Sequence, residues 1–116
     1  MKVGHVSHPL IRNWPGYHYV KVDRSTPLGN PFHIGPDGTR EEVIKKYAEW
    51  LPGAYKKGSL GVRAAIDNLV ERTMYHPEEV VLLCWCHPRA CHADVIKSFV
   101  EERVRDAKKK RTNSRA

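Results

Sequence analysis

The sequence lacks the long hydrophobic runs and the cysteine content that characterise several large protein classes. No apolar stretch reaches the roughly 18 residues that a transmembrane helix requires, and residues 1–10 contain no apolar core of a secretory signal. The three cysteines are an odd number and lie close together, between Cys84 and Cys91, which argues against a disulfide framework. We therefore expect a cytoplasmic protein in a reducing compartment, with no membrane association.

Internal repeats, low-complexity segments and linkers are also missing, so nothing divides the 116 residues into two domains. A hydrophobic content of 41% and a charged content of 28% are ordinary for a globular protein. A chain of this length buries roughly two thirds of its unfolded surface, which suffices for a core without disulfides. We predict a single α/β domain over residues 1–105, followed by a basic, disordered tail over residues 106–116.

The net charge of +7 is concentrated at the end of the chain. Without the five basic residues among the last nine, the net charge falls to +2. A run of this kind is typical of a solvated tail, and it also attracts nucleic-acid phosphates without regard to sequence. Non-specific nucleic-acid binding therefore stays open for Lys108, Lys109, Lys110 and Arg111.

The hydrophobic pattern predicts strands in three places. Alternation over residues 17–23 favours a strand, and residues 2–6 favour a shorter one. The continuous apolar run within residues 79–86 is typical of a strand that is buried on both faces, so we expect it to be central.

Apolar residues spaced three and four apart predict three helices. The first begins at Arg40, after a capping box formed by Thr39 and Glu42, and we expect it to end at Pro52. The second and third are predicted over residues 59–74 and 91–108. This order of elements predicts a small three-layer, Rossmann-like α/β sandwich with a short, at least partly parallel sheet.

Five side chains of residues 84–92 are of the types that ligate metals or act as nucleophiles: Cys84, Cys86, His87, Cys91 and His92. The stretch spans the turn from the central strand to the last helix, where the helix N-terminus offers free amides and a positive dipole end. Cys91 and His92 continue the inward stripe of that helix. Because a cysteine in the first turn of a helix has a lowered pKa, Cys91 is the candidate nucleophile and His92 the candidate acid or base.

Two other interpretations of this stretch stay open. Cys84, Cys86, Cys91 and His92 form a zinc ligand set, although structural zinc sites commonly use Cys-x₂₋₄-Cys spacing. Alternatively the stretch is an ordinary end of the core, with Cys84 as a small buried hydrophobic side chain. Asp94 caps the helix by its position in the first turn, and its catalytic role would be to orient His92.

A second group of candidates follows the second strand. Arg24, Asn30 and Arg40 combine two guanidinium groups and an amide, which suit a phosphate or a carboxylate. The alternative is turn chemistry for Asn30 and solvation for the arginines. With a stacking face from Trp85, the candidate ligand-binding residues are Arg24, Asn30, Phe32, Arg40, Trp85 and Cys86, and the candidate catalytic residues are Cys91, His92 and Asp94.

Three blocks of the sequence, residues 28–32, 37–51 and 83–94, resemble in order and spacing the domain of unknown function 4326 family of bacteria and bacteriophages. The resemblance covers about residues 19–100, and the family's pattern includes Asn30, Pro31, Phe32, Arg40, Cys84, Trp85, Cys86, Cys91, His92 and Asp94. It implies no settled activity, and the phage relatives suggest a nucleotide or nucleic-acid context. Ala93 stands where the family commonly has glycine.

The sequence as a whole predicts a small α/β protein with a Cys/His crevice that binds or acts on an anionic, nucleotide-like ligand. The alternative is a non-enzymatic module, zinc-stabilised or metal-free, that binds nucleic acid or a host protein. We predict no cofactor, with zinc as the open alternative, and leave open whether the protein is an enzyme.

Overall fold

The computed structural model describes residues 1–5, 18–58, 61–84 and 91–114. The strands are β1 (Lys2–His5), β2 (His18–Lys21) and β3 (Val80–Cys84), and the helices are α1 (Arg40–Lys57), α2 (Val62–Tyr75) and α3 (His92–Ser114). The predicted α/β class is confirmed. No helix in the described part of the chain is long and apolar enough to cross a membrane.

β3 is the central strand of a three-stranded sheet with the order β1-β3-β2. It pairs in parallel with both neighbours, so that Leu82 lies opposite Val3 on one side and Val20 on the other. All five residues of β3 are buried. The prediction of a central strand that is buried on both faces is therefore confirmed, and its pairing is parallel on both sides.

The helices cover the face of the sheet formed by Val80, Leu82 and Cys84. Residues from all three helices pack with this face in one core, among them Tyr47, Leu51, Ile66, Leu69, Ile96 and Val100. Val81 and Leu83 form a separate cluster with Tyr19 on the opposite face. The described residues account for two layers, one sheet and one helical layer, of the three-layer sandwich that the sequence predicts.

Helix α1 begins as predicted but continues past Pro52. Thr39 and Glu42 form the expected capping box at its start. Pro52 is exposed, whereas Leu51 and Tyr55 on either side of it are buried in the core. A proline inside a helix costs about 3 kcal/mol, and each buried large side chain contributes about 1.5–3 kcal/mol. Packing of the inner face therefore outweighs the proline.

Helix α3 is longer than the sequence predicts. Val104 is the last buried residue among those whose burial is described, and the helix continues to Ser114, through residues for which composition predicts disorder. Lysine, arginine and alanine favour helices, and basic side chains near a helix C-terminus are stabilised by the dipole. The division into a domain over residues 1–105 and a basic tail over residues 106–116 stays a prediction, and the side chains of Lys110 and Arg111 lie outside those described.

Candidate functional site

The carboxyl end of the sheet carries a cavity of about 110 Å³ that lies against the starts of α1 and α3. Six of the residues that line it are candidates from the sequence: Arg24, Asn30, Phe32, Arg40, Cys91 and His92. Parallel α/β sheets place their ligands at this end, outside the carboxyl ends of the strands. The structure therefore brings together side chains from four separate segments that local sequence patterns had singled out one by one.

The loop after β2 is held in shape by hydrogen bonds between side chains and backbone. The Asn30 side chain accepts from the Phe32 amide at 2.9 Å and donates to the Val43 carbonyl at 3.3 Å. Arg24 donates through Nε to the Asn30 carbonyl and through Nη2 to the Phe32 carbonyl, both at 3.3 Å. Asn30 thus positions the loop, and Arg24 holds its exposed guanidinium at the cavity.

Cys91 occupies the position that caps the N-terminus of α3. Its Sγ accepts from the Ala93 amide at 3.3 Å, and the Asp94 carboxylate accepts from the Cys91 amide at 3.2 Å. This is the reciprocal arrangement of a capping box, with sulfur in place of a hydroxyl oxygen. An amide donor and the positive end of the helix dipole both favour negative charge on this sulfur, as a nucleophilic thiolate requires.

His92 is buried and held in one orientation. Its Nε2 donates to the Val22 carbonyl, and the ring of Tyr47 packs against it edge-on with centroids 5.2 Å apart. Burial holds the pKa of His92 below 6.5, and the Arg24 charge acts in the same direction, against the opposing effect of the Val22 carbonyl. The imidazole is therefore neutral at pH 7, and Nδ1 carries the lone pair because Nε2 carries the hydrogen.

Asp94 is exposed, and its described hydrogen bond goes to the Cys91 amide. No contact between Asp94 and the His92 imidazole is found among the described hydrogen bonds. Helix capping accounts for this carboxylate, and its predicted role in orienting His92 is not needed to explain its position.

The predicted zinc set can be followed only in part. The Sγ atoms of Cys84 and Cys91 lie 3.0 Å apart, and both cysteines are buried and reduced. Cys86, His87 and the stacking candidate Trp85 lie outside the described residues. The zinc interpretation of Cys84, Cys86, Cys91 and His92 therefore stays a prediction.

Sequence reasoning missed four residues of the cavity wall. Asp23, Ile34, Val43 and Ile44 complete the lining. Val43 and Ile44 belong to the apolar stripe of α1. Nothing in the sequence distinguishes apolar residues that line a cavity from those that pack in the core. Asp23 had a signal, because it directly precedes Arg24 and follows the strand.

A second group of ligating side chains lies elsewhere and was also missed. Ligand atoms of His18, His76 and Glu79 lie within 4.8 Å of one another at the amino end of the sheet. Of the three residues, His76 and Glu79 alone lie close together in the sequence, three positions apart. His18 is distant in the sequence, and the pairing of β2 with β3 brings it to the other two.

The family resemblance is confirmed by a match over most of the chain. Residues 11–102 match the family model DUF4326, described as a domain of unknown function, and this range contains every residue that lines the cavity. No curated protein and no solved structure matches the chain. The chain belongs to the DUF4326 family.

Proposed function

We propose that the cavity binds a small anionic, nucleotide-like molecule and that Cys91 and His92 act on it. The observation that carries this proposal is the convergence of two arginines, an aromatic ring, a helix-capping cysteine and a neutral histidine on one cavity. Such a combination of apolar walls with a few aimed polar groups is typical of small-molecule sites.

The charge of the cavity favours an anion. Arg24 and Arg40 both line it, opposed by the single carboxylate of Asp23. Arg40 is the first residue of α1 and His92 the first residue of α3, so the positive ends of two helix dipoles lie at the cavity. A phosphate or a carboxylate group suits this arrangement, because guanidinium groups bind both in a bidentate manner.

The size of the cavity indicates that it holds one part of the ligand. A volume of about 110 Å³ is below the roughly 300–1,000 Å³ of typical ligand pockets. A second cavity of about 220 Å³ adjoins it and shares Arg24 and Asn30 as walls. A nucleotide that extends from one cavity into the other would pass beside Arg24, with Phe32 and Ile34 offering apolar surface.

The chemistry that these groups support is nucleophilic displacement. The Cys91 sulfur would form a bond to an electrophilic carbon of the ligand, and the leaving group would depart with the electron pair of the broken bond. The thiol proton would pass to the neutral imidazole of His92, which has a lone pair on Nδ1 to accept it. Cys91 is then the nucleophile and His92 the base.

Ligand binding is tested by thermal stabilisation of the full chain with nucleoside mono- and diphosphates and with inorganic phosphate. We expect at least one nucleotide to raise the melting temperature, and Arg40→Gln to weaken its binding roughly tenfold or more, since charged hydrogen bonds contribute about 1.5–3 kcal/mol. Arg105→Gln is the matched control, because Arg105 is an exposed arginine of α3 away from the cavity. Equal affinities of the two variants, or no stabilisation by any nucleotide, would contradict the proposal.

A second candidate function is supported by the exposed basic end of α3. Arg105, Lys108 and Lys109 are exposed on the helix after Val104, which is buried. Basic side chains spaced along a helix suit contact with nucleic-acid phosphates. This alternative is a non-enzymatic module that binds nucleic acid, and deletion of residues 106–116 tests it.

A further inference from the structure

We propose that His18, His76 and Glu79 bind a divalent transition-metal ion, with zinc as the best match. Two imidazoles and a carboxylate are a ligand set that zinc uses in proteins. Magnesium and calcium prefer oxygen ligands, so two imidazoles select against them. This metal site would be independent of the proposed ligand cavity.

The three residues meet at the amino end of the sheet. His18 opens β2, His76 follows α2, and Glu79 directly precedes β3, with their ligand atoms all within 4.8 Å of one another. Because the strands are parallel, this amino end of the sheet is opposite to the carboxyl end, where Cys84 ends β3. The cavity lies at that carboxyl end. A metal here would join the starts of two strands and the end of a helix.

The backbone of the site is already ordered. The His18 amide donates to the Glu79 carbonyl at 2.8 Å, and the Glu79 amide donates to the His76 carbonyl at 3.1 Å. The terminal amine of Met1 donates to the Pro77 carbonyl in the same turn. Metal binding therefore has to order side chains only, which lowers its entropic cost.

The side chains need small movements to reach ligand distances. Nδ1 of His76 lies 3.1 Å from Oε2 of Glu79, and the His18 and His76 rings stack with centroids 4.4 Å apart. Bonds of about 2.0–2.2 Å in a tetrahedral site place ligand atoms about 3.3–3.6 Å apart. His76 and Glu79 are close to this spacing, and their side chains are 44% and 48% exposed, so rotation can bring them to a shared ion with His18.

Arg72 contacts the His18 ring at Nδ1 and competes with the metal for that nitrogen. Its Nη1 lies 3.2 Å from Nδ1 of His18, and because a guanidinium only donates, Nδ1 accepts and carries a lone pair. Nε of Arg72 donates to the Asn68 side chain at 2.7 Å, a contact that remains if the His18 contact is broken. The arginine charge opposes a cation, so removing that charge should strengthen metal binding.

Calorimetric titration of the full chain with zinc chloride tests the proposal. We expect one equivalent to bind, with the affinity reduced at least tenfold in Glu79→Gln and increased in Arg72→Gln. Glu78→Gln is the matched control, because Glu78 is the neighbouring exposed glutamate and should leave the affinity unchanged. Equal affinities of the wild type and Glu79→Gln would overturn the proposal.

Cobalt separates this site from one built on the cysteines. We expect cobalt bound at His18, His76 and Glu79 to show no near-ultraviolet thiolate-to-cobalt band. A thiolate band at one equivalent of cobalt, unaffected by Glu79→Gln, would assign the metal to the cysteines and overturn the proposal.

A measurement on the wild type guards against variants that misfold. Imidazole resonances of His18 and His76 should shift with the first equivalent of zinc, while those of the exposed His33 stay in place. Shifts confined to His92, or none at all, would refute the metal site. Neither result would affect the proposed ligand cavity, because nucleotide stabilisation is measured without metal at the opposite end of the sheet.

Discussion

Cys91 combines a structural contact with the chemistry proposed for it, and the two can be separated. Its sulfur accepts from the Ala93 amide as the cap of α3, a task that serine performs well. Cys91→Ser should therefore change the free energy of unfolding by less than about 1 kcal/mol. It should abolish any covalent adduct between ligand and protein, measured by intact-protein mass spectrometry. An adduct that persists in Cys91→Ser would remove Cys91 as the nucleophile.

His92 makes stability dependent on pH in a defined direction. Its folded-state pKa is lowered, chiefly by burial, so the unfolded chain binds more protons just below pH 6.5. The free energy of unfolding should fall as the pH decreases from about 6.5 towards the folded-state pKa, and level off below it. Denaturant melts between pH 7.5 and 4.5 measure this. In His92→Gln, which keeps a side-chain donor, this part of the slope should disappear, and an unchanged slope would show that other groups cause it.

Gly29 allows the backbone of the loop after β2 to pass close to the backbone of Asp23 and Arg24. A Cβ there would lie 2.5 Å from the Arg24 Cα and 2.6 Å from the Asp23 carbonyl oxygen. Gly29→Ala should therefore lower the free energy of unfolding by about 1–3 kcal/mol and displace Arg24 from the cavity. The matched control is Gly53→Ala in α1, which meets nothing within 4 Å and should stabilise by roughly 0.5–1 kcal/mol. Chemical denaturation measures the free energy of unfolding of both variants. Similar changes in the two variants would contradict the proposed role of Gly29.

At the scale of the element, α1 contains a destabilising proline, Pro52, whose cost is offset by the packing of the helix in the core. Pro52 lies on the exposed side of the helix, so its replacement removes no core contact. Pro52→Ala should raise the free energy of unfolding by about 1–3 kcal/mol, since it restores a backbone hydrogen bond and relieves the ring clash. Urea unfolding measures the change. A decrease would mean that the proline contributes a favourable local bend.

Sequence patterns predict an element when its causes are local. The capping box of Thr39 and Glu42 and the capping contact of Asp94 depend on residues a few positions apart, and both are observed. The passage of α1 through Pro52 depends on burial of Leu51 and Tyr55 in the core, which no local pattern specifies. The group formed by His18, His76 and Glu79 depends on strand pairing, so it is visible only in the fold.

At the scale of the whole molecule, the basic end of α3 adds no buried residue to the core within the part whose side chains are described, residues 105–109. Among the residues of α3 whose burial is described, Val104 is the last buried one, so a chain that lacks residues 106–116 should keep its fold, checked by circular dichroism. If nucleic-acid binding is the function, this deletion should weaken affinity for a generic DNA duplex and flatten the dependence of affinity on salt. Fluorescence anisotropy at several salt concentrations measures both. Equal binding by the shortened chain would exclude the basic end of α3 as a nucleic-acid contact.

The strand order also governs when the sheet can form during synthesis. Among the described strands, β1 and β2 each pair with β3 and not with each other. On the ribosome, the earlier two strands have no described partner until residues 80–84 have emerged from the exit tunnel. We expect the helices α1 and α2 to form local contacts first, and the sheet to form only after the later part of the chain is available. Translation that pauses before β3 is complete would therefore leave the nascent chain with exposed strand edges and in need of chaperones.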